Sequence, residues 1–355
     1  MTSFSEAIEL ALAEAMAADD RVVVFGEDVP LLRRNLLVRF GPQRVRGAPI
    51  SEAAFMGAAV GAAMAGLRPV VELMLVDFVG VALDSLLNHA AKLHDFSGGR
   101  WNAPLVVRTA CGGGYGDGGQ HEQCLWGLLG GIPGLAVVVP SCPADAAGLM
   151  LSAIAYEGPV VYLEHKLLSD YWLDYLGGAS RQTVSFDVPP AGVHGAITDP
   201  IARVPLGSAA VRTEGRDLAM LSLGVSVHRC LQAADALEAD GIHATVVDLR
   251  SVTPIDRQAI TQVAHATGRV LVVDEDYVAF GLSGEIAAVL ADEAPHVRFA
   301  RVATEGTIPF ARSLEDQALP NVQRIRAAAR QLAAQAVLAP APGHGPVSAE
   351  LIGRP

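Results

Sequence analysis

The stretch CGGGYGDGGQHEQC, Cys111 to Cys124, crowds glycines around an aspartate, a histidine and a glutamate. Gly114, Gly116 and Gly119 fit G-x-G-x-x-G behind an apolar run. A dinucleotide site also needs a helix opening on the last glycine and an acidic residue about 20 positions on. The nearest acid, Asp145, follows a proline at a helix start, so the NAD reading is set aside. Gly116-Asp117-Gly118 begins a motif that holds Mg2+ and a diphosphate. That motif needs a later asparagine, and none lies between Asn102 and Asn321. His121-Glu122-Gln123-Cys124 lacks the second histidine of a zinc-binding H-E-x-x-H. What remains is His121, a potential proton carrier in a glycine-rich loop, and Glu52, at the head of an apolar segment. A glutamate in a helical first turn also simply complements the dipole. Glu72 and Asp77 read equally well as buried acids or surface positions. Spacing alone leaves all four open.

These residues need elements to hold them. Ser3 to Ala17 reads as an amphipathic helix, with Ser3 and Glu6 as a capping box. Ser51 to Leu67 reads as a helix dense in Ala and Gly, suited to close approach by a neighbouring backbone. Arg21 to Phe25, Val70 to Leu75, Leu105 to Arg108, Leu135 to Val139 and Val160 to Leu163 read as strands. Phe78 to His94 and Ala144 to Ala155 read as helices. Apolar strands without alternation, interleaved with helices, imply a parallel sheet covered on both faces. The pattern fails from Leu167 to Pro205 and resumes as a second alternating unit from Leu218 to Gln335. The expected fold is α/β, with two three-layer α/β/α domains at 1–168 and 206–338. A linker at 169–205 joins them, and a flexible Pro- and Gly-rich tail occupies 339–355.

A chain of 355 residues accommodates two domains. The net charge of −12 provides no basic face for a phosphate backbone, which argues against nucleic acid as a partner. Apolar residues reach 51% and charged residues only 18%, which raises the question of a membrane. The longest uncharged run, Gln123 to Ala144, is interrupted by Gly127, Gly130, Gly131, Pro133, Gly134, Pro140 and Pro143, so no spanning helix is expected. Glu6 and Glu9, without a basic stretch, argue against a signal peptide. Four cysteines without CxxC spacing read as free thiols in a reducing cytoplasm. The apolar excess is then expected inside the protein or against other subunits.

Longer segments add a resemblance. GEDV, PISEAAFMGAAVGAAMAGLRPVVELMLVDF, NHAAK, SGGRWNAPLVVR, GGQHEQC, PGLAVVVPSCPADAAGLMLSAI and PVVYLEHKLL resemble one family, as do LSLGVSVHRCLQAADAL, VVDLRSVTPID and TIPFARSLEDQALP in the second half. It is the beta subunit of the thiamine-diphosphate-dependent decarboxylase component of 2-oxo acid dehydrogenase complexes, of pyruvate and branched-chain type. The family is kin to the C-terminal half of transketolase. The resemblance implies a pyrimidine-binding domain followed by a transketolase C-terminal-like domain. It implies an alpha subunit carrying the diphosphate and Mg2+ site, assembled as an α2β2 heterotetramer. Glu52 would hydrogen-bond the aminopyrimidine nitrogen, with Met74 and Phe78 packed on the ring and Glu27 in a proton network. His121 would orient or protonate the lipoyl group or acyl intermediate. Backbone carbonyls of Leu105, Ala153, Tyr156 and Gly158 would hold a monovalent cation such as K+. The implied reaction is decarboxylation of a 2-oxo acid, with acyl transfer to a lipoylated acyltransferase component.

Three departures bear on substrate. The segment between GEDV and PISE is shorter than usual, and extra residues lie around Ser169 to Pro200. Glu122 stands where the family usually has serine, and it reads as a negative charge beside His121. Two alternatives stay open: transketolase-like transfer of a two-carbon glycolyl unit from a ketose phosphate to a lipoyl or carrier protein, and a noncatalytic assembly subunit.

Overall fold

The computed structural model describes residues 1–178 and 188–337. The expected tail at 339–355 lies outside the described residues, as does part of the inserted stretch. The chain forms two main sheets flanked by helices, the α/β class expected. The first runs, in spatial order, Ser251–Thr253, Ala136–Val138, Val160–His165, Val106–Cys111, Arg68–Leu75, Val22–Glu27 and Val45–Ala48. The second runs Arg298–Thr304, Arg269–Tyr277, Leu218–Ser222, Ala244–Asp248 and Ala210–Thr213. Both sheets are parallel except at one edge each, where Ser251–Thr253 and Ala210–Thr213 run antiparallel. The expectation of purely parallel sheets missed these short edge strands. Ser251–Thr253 also comes from the second half of the chain yet completes the first sheet.

Central strands such as Leu218–Ser222 are buried throughout, which explains their apolar sequence without alternation. One apolar cluster runs from Phe55 and Met56 through Trp126 and Leu129 to Val252 and Leu282, so the core is continuous across both sheets. The apolar excess is thus used inside. No helix among the described residues is long and apolar enough to cross a membrane. The four cysteines are free.

Local chemistry shaped the elements as the sequence suggested in several places. The first helix, Phe4–Ala18, carries the full Ser3–Glu6 capping box, and Asp170 also accepts from Ser3 Oγ at 2.9 Å and Ser5 N at 3.0 Å. The expected helix from Phe78 to His94 is instead segmented. A 3₁₀ turn at Val76–Phe78 leads into a helix at Val79–Asp84, a π turn at Ser85–Ala90 and a short helix at Leu93–Phe96. Val79, Ala82, Leu86 and Ala90 stay buried through the breaks, so their helical spacing concealed them. The stretch read as a linker contains a helix at Asp170–Gly178 and a strand, His194–Gly195, paired with Thr2–Ser3.

Gly26 allows two strands to meet where the site begins. A Cβ there would collide with the carbonyl oxygen of Glu72 on the adjacent strand. Gly26→Ala is therefore expected to cost about 1–3 kcal/mol. It would displace Glu27, and a lowered urea midpoint would register the effect.

Candidate active site

Ligands in open α/β sheets sit beyond the carboxyl ends of parallel strands. Four strands of the first sheet bring the expected residues to that edge. Glu27 ends Val22–Glu27, and Met74 stands near the end of Arg68–Leu75. Glu52 opens the helix Glu52–Met64 that follows Val45–Ala48, and the glycine-rich loop follows Cys111. Burial, then the charges of Asp28 and Glu52, raise the Glu27 carboxyl above its ordinary value. Glu27 and Glu52 therefore share one electrostatic field. Glu27 and Met74 line a cavity of about 30 Å3 together with Arg33, Glu72, Arg108 and Trp172.

Phe78 and His121 meet edge to face, ring centroids 6.0 Å apart at 86°. Beside them, His121 Nδ1 and Asp77 Oδ2 are buried with no hydrogen-bond partner. Asp77 Oδ1 accepts from Gln123 N at 3.3 Å and from Gln123 Nε2 at 2.8 Å, while Tyr277 donates to Gln123 Oε1 at 3.0 Å. The structure thus joins two groups, Glu27–Glu52–Met74 and Phe78–His121, along one sheet edge.

The carboxylate floor is held by a buried chain of ions. Arg33 donates to both oxygens of Glu72 at 2.7 and 2.9 Å, and Arg108 bridges Glu72 at 3.2 Å to Glu164 at 2.7 Å. Burial opposes ionisation of Glu72, but the two guanidiniums outweigh it and hold its carboxyl below the usual range. This answers the ambiguity of Glu72: it is a structural acid, while Asp77 faces the site.

Buried charged groups also anchor the loop bearing His121. The Lys166 ammonium donates to the His121 carbonyl and lies 4.6 Å from the centre of the Tyr115 ring. Burial pushes that ammonium down to about 8, against the pull of Asp77, Cys111, Glu275 and Glu315. Glu275 accepts from Gly113 N at 2.9 Å, His165 Nε2 at 2.8 Å and Arg229 Nη1 at 2.8 Å. Burial disfavours its charge, but His165 and Arg229 prevail and hold it at about 2. Sequence reasoning passed over Lys166. Its signal was available, since a lone lysine just past the apolar run VVYL needs a buried partner.

Glu122 was expected to add negative charge beside His121. Its side chain is instead fully buried, accepting from Tyr115 N at 3.2 Å and Gly118 N at 2.8 Å. Burial first, then Glu315, push its carboxyl up to about 9, so it is protonated near neutrality. Gly116 N donates to Glu315 at 2.9 Å. The amides of the Gly116-Asp117-Gly118 segment are thereby turned toward the protein's own carboxyls, not toward a diphosphate.

Leu105, Ala153, Tyr156 and Gly158 lie at the opposite edge of the sheet. The Leu105 carbonyl accepts from Val160 N at 2.9 Å, and that of Ala153 from Tyr156 N at 3.3 Å. Arg68 Nη1 donates to the carbonyls of Tyr156 at 3.3 Å and Ile154 at 2.9 Å, placing a positive charge among them.

Two family descriptions match the chain: "Transketolase, pyrimidine binding domain" over residues 1–170 and "Transketolase, C-terminal domain" over residues 207–325. Among solved structures, a split-gene transketolase described as an inactive beta4 tetramer shares the fold. Its TM-score is 0.75 at 24% identity, over 94% of this chain and 98% of that one. Fold and site together define a transketolase-like chain with a pyrimidine-binding first domain.

Curated relatives narrow the class. The 2-oxoisovalerate dehydrogenase subunit beta of Bacillus subtilis (strain 168) is 36% identical over 93% of this chain and 98% of its own. The beta subunit of acetoin:2,6-dichlorophenolindophenol oxidoreductase from the same organism is 36% identical over 91% and 94%. Pyruvate dehydrogenase E1 component subunit beta-2 of Oryza sativa subsp. japonica is 36% identical over 94% and 86%. The chain belongs to the family of E1 beta subunits of 2-oxo acid dehydrogenases. Members of that family use thiamine diphosphate.

Proposed function

We propose that this chain is the beta half of a heteromeric thiamine-diphosphate-dependent 2-oxo acid dehydrogenase, which decarboxylates a 2-oxo acid and passes the acyl unit to a lipoyl group. The observation that carries this is the single sheet edge on which Glu27 feels the charge of Glu52 and Phe78 meets His121. The residues fit an aminopyrimidine. Glu52 offers a carboxyl for its ring nitrogen, and Met74 and Phe78 offer half-buried flat and soft surfaces. The unpartnered His121 Nδ1 and Asp77 Oδ2 mark a wall that can take polar atoms.

When bound, thiamine diphosphate supplies the carbon nucleophile and the electron sink for decarboxylation. This chain's residues bind, orient and move protons. Glu52 exchanges a proton with the pyrimidine nitrogen, and Glu27 extends the proton path. Met74 and Phe78 keep the ring in place and water out. His121, steadied against Phe78 and by Lys166, presents its imidazole to the lipoyl group or to the acyl group in transit.

The site is half of a whole. Ile50 is 76% exposed beside Glu52, and Val81 is 60% exposed. Along the helix Glu52–Met64, Phe55, Met56, Ala59 and Val60 face the core, while Ala53, Ala54, Gly57, Ala58 and Gly61 are exposed. An exposed apolar and small-residue face at a site mouth suits a partner subunit. We assign that partner as an alpha chain holding the diphosphate and Mg2+ in an α2β2 assembly, with a lipoylated acyltransferase component as acceptor. A monovalent cation at Leu105, Ala153, Tyr156 and Gly158 would share the Tyr156 carbonyl with Arg68.

Co-purification with the alpha chain, then a panel of pyruvate, branched 2-oxo acids and xylulose 5-phosphate with thiamine diphosphate and Mg2+, tests the reading. Turnover of a 2-oxo acid is expected. Turnover of the ketose phosphate alone would move the chain to glycolyl transfer, and tight cofactor binding by the isolated chain would overturn the shared site. His121→Ala is expected to keep 2-oxo-acid-dependent reduction of 2,6-dichlorophenolindophenol while slowing acyl transfer to a lipoyl domain about 100-fold. Equal losses in both assays would remove His121 from the transfer step.

A further inference from the structure

We propose that Glu122 and Glu315, one from each domain, share a single proton and act together as positioning residues that clamp the loop carrying His121. The importance of that loop rests on the function proposed above; the clamp itself does not.

The two carboxyls are both fully buried and hydrogen-bonded to each other. Glu122 lies in the loop, and Glu315 on the helix Arg312–Ala318 in the second half of the chain. They converge over Gly113, where a Cβ would stand 3.0 Å from Glu315 Oε1 and 3.5 Å from Glu122 Cβ. Between them they accept five loop amides. Glu122 takes Tyr115, Asp117 and Gly118, and Glu315 takes Gly114 at 2.5 Å and Gly116 at 2.9 Å. Nearly every turn of the loop is therefore tied to one pair of groups, one residue from His121.

Two adjacent anions without solvent are strongly unfavourable, so one proton between them completes the arrangement. The other charges facing the pair are few. Arg312 Nη1 lies 3.6 Å from Glu315 Oε2, and Lys166 interacts with Glu315. Glu275 holds the neighbouring Gly113 amide but is neutralised by His165 and Arg229.

The sign follows from the proton. The folded pair keeps it up to about 9, whereas an unfolded glutamate has lost it far lower. Stabilisation by the shared proton is complete below the ordinary carboxylate range and disappears as the pH rises through about 9. Lys166, held near 8 by burial, loses its charge in the same interval and removes a counter-charge from Glu315.

Hydrogen exchange of the 112–124 segment in the assembled complex, at about pH 7 and about pH 10, tests this. Wild type is compared with Glu122→Gln at each pH, which cancels intrinsic exchange rates. The amide of the variant donates to Glu315 permanently, and its one carbonyl keeps an acceptor for only one of Tyr115 N and Gly118 N. The expected result is that the ratio of wild-type to variant exchange rises about tenfold from the neutral to the alkaline pH. Glu315→Gln should behave like Glu122→Gln, because either amide can replace the shared proton. The alkaline fall of kcat in wild type should be shifted upward in both variants. A ratio of wild-type to variant exchange that is the same at both pH values overturns the proposal. Exchange is read without turnover, so failure of the proposed enzyme activity would leave this result separately decidable.

Discussion

Glu52→Gln is expected to lower turnover of the assembled enzyme by about 100- to 10,000-fold, the usual worth of a positioned acid–base group. The substitution keeps the size and the helix-forming tendency of the side chain. No ion pair among the described residues depends on Glu52, so folding and assembly should survive. What the amide cannot do is exchange a proton with a ring nitrogen. Its loss should also lower the Glu27 carboxyl, since one of the charges raising that group is Glu52 itself. An unchanged kcat with a correctly assembled complex would remove Glu52 from the chemistry. A lost tetramer would show instead that it serves the subunit face.

The second large effect is on stability. Glu72→Leu leaves Arg33 buried without its bidentate partner and deprives Arg108 of one of its two carboxylates. Breaking a buried ion pair from one side costs about 3–5 kcal/mol, because the remaining charge stays desolvated. A urea midpoint lowered to that extent is expected, and Arg33→Met added to Glu72→Leu should restore part of it. The pH dependence should change with it. Glu72 is held below its ordinary value, so its contribution is present above the normal carboxylate range and is lost as the pH falls beneath it. The variant should therefore unfold in acid with a shallower slope than wild type. If the double variant is no more stable than the single one, the charge left behind was not the cause.

The sequence showed the layers of this fold clearly because they depend on local patterns. The capping box at Ser3 and Glu6, the apolar strands and the helix starting at Glu52 each follow from neighbours a few residues apart. The site was legible differently. Glu52 and His121 stood out as residue types, but their pairing came from family resemblance, because spacing carries no information about which strand ends adjoin. The anchors of the loop were invisible for the same reason: Glu275 and Glu315 lie far along the chain from the amides they hold. Glu122 is the sharpest case. Its letter suggests a charge, while its surroundings keep a proton on it. The segmented stretch after Phe78 escaped because burial keeps its rhythm through the breaks.

The short strand Ser251–Thr253 has a consequence for the order in which the protein is made. It is the outer edge of the first sheet, next to Ala136–Val138, and Arg250 O also accepts from Val139 N at 2.8 Å. A ribosome delivers every other strand of that sheet long before it reaches Thr253. Until then the nascent first half ends in a bare edge of unpaired backbone groups, the kind that recruits stray strands. Synthesis must pass well into the second half before the first is sealed. A nascent chain arrested between the halves thus leaves exposed the backbone of Ala136–Val138 that the finished chain pairs.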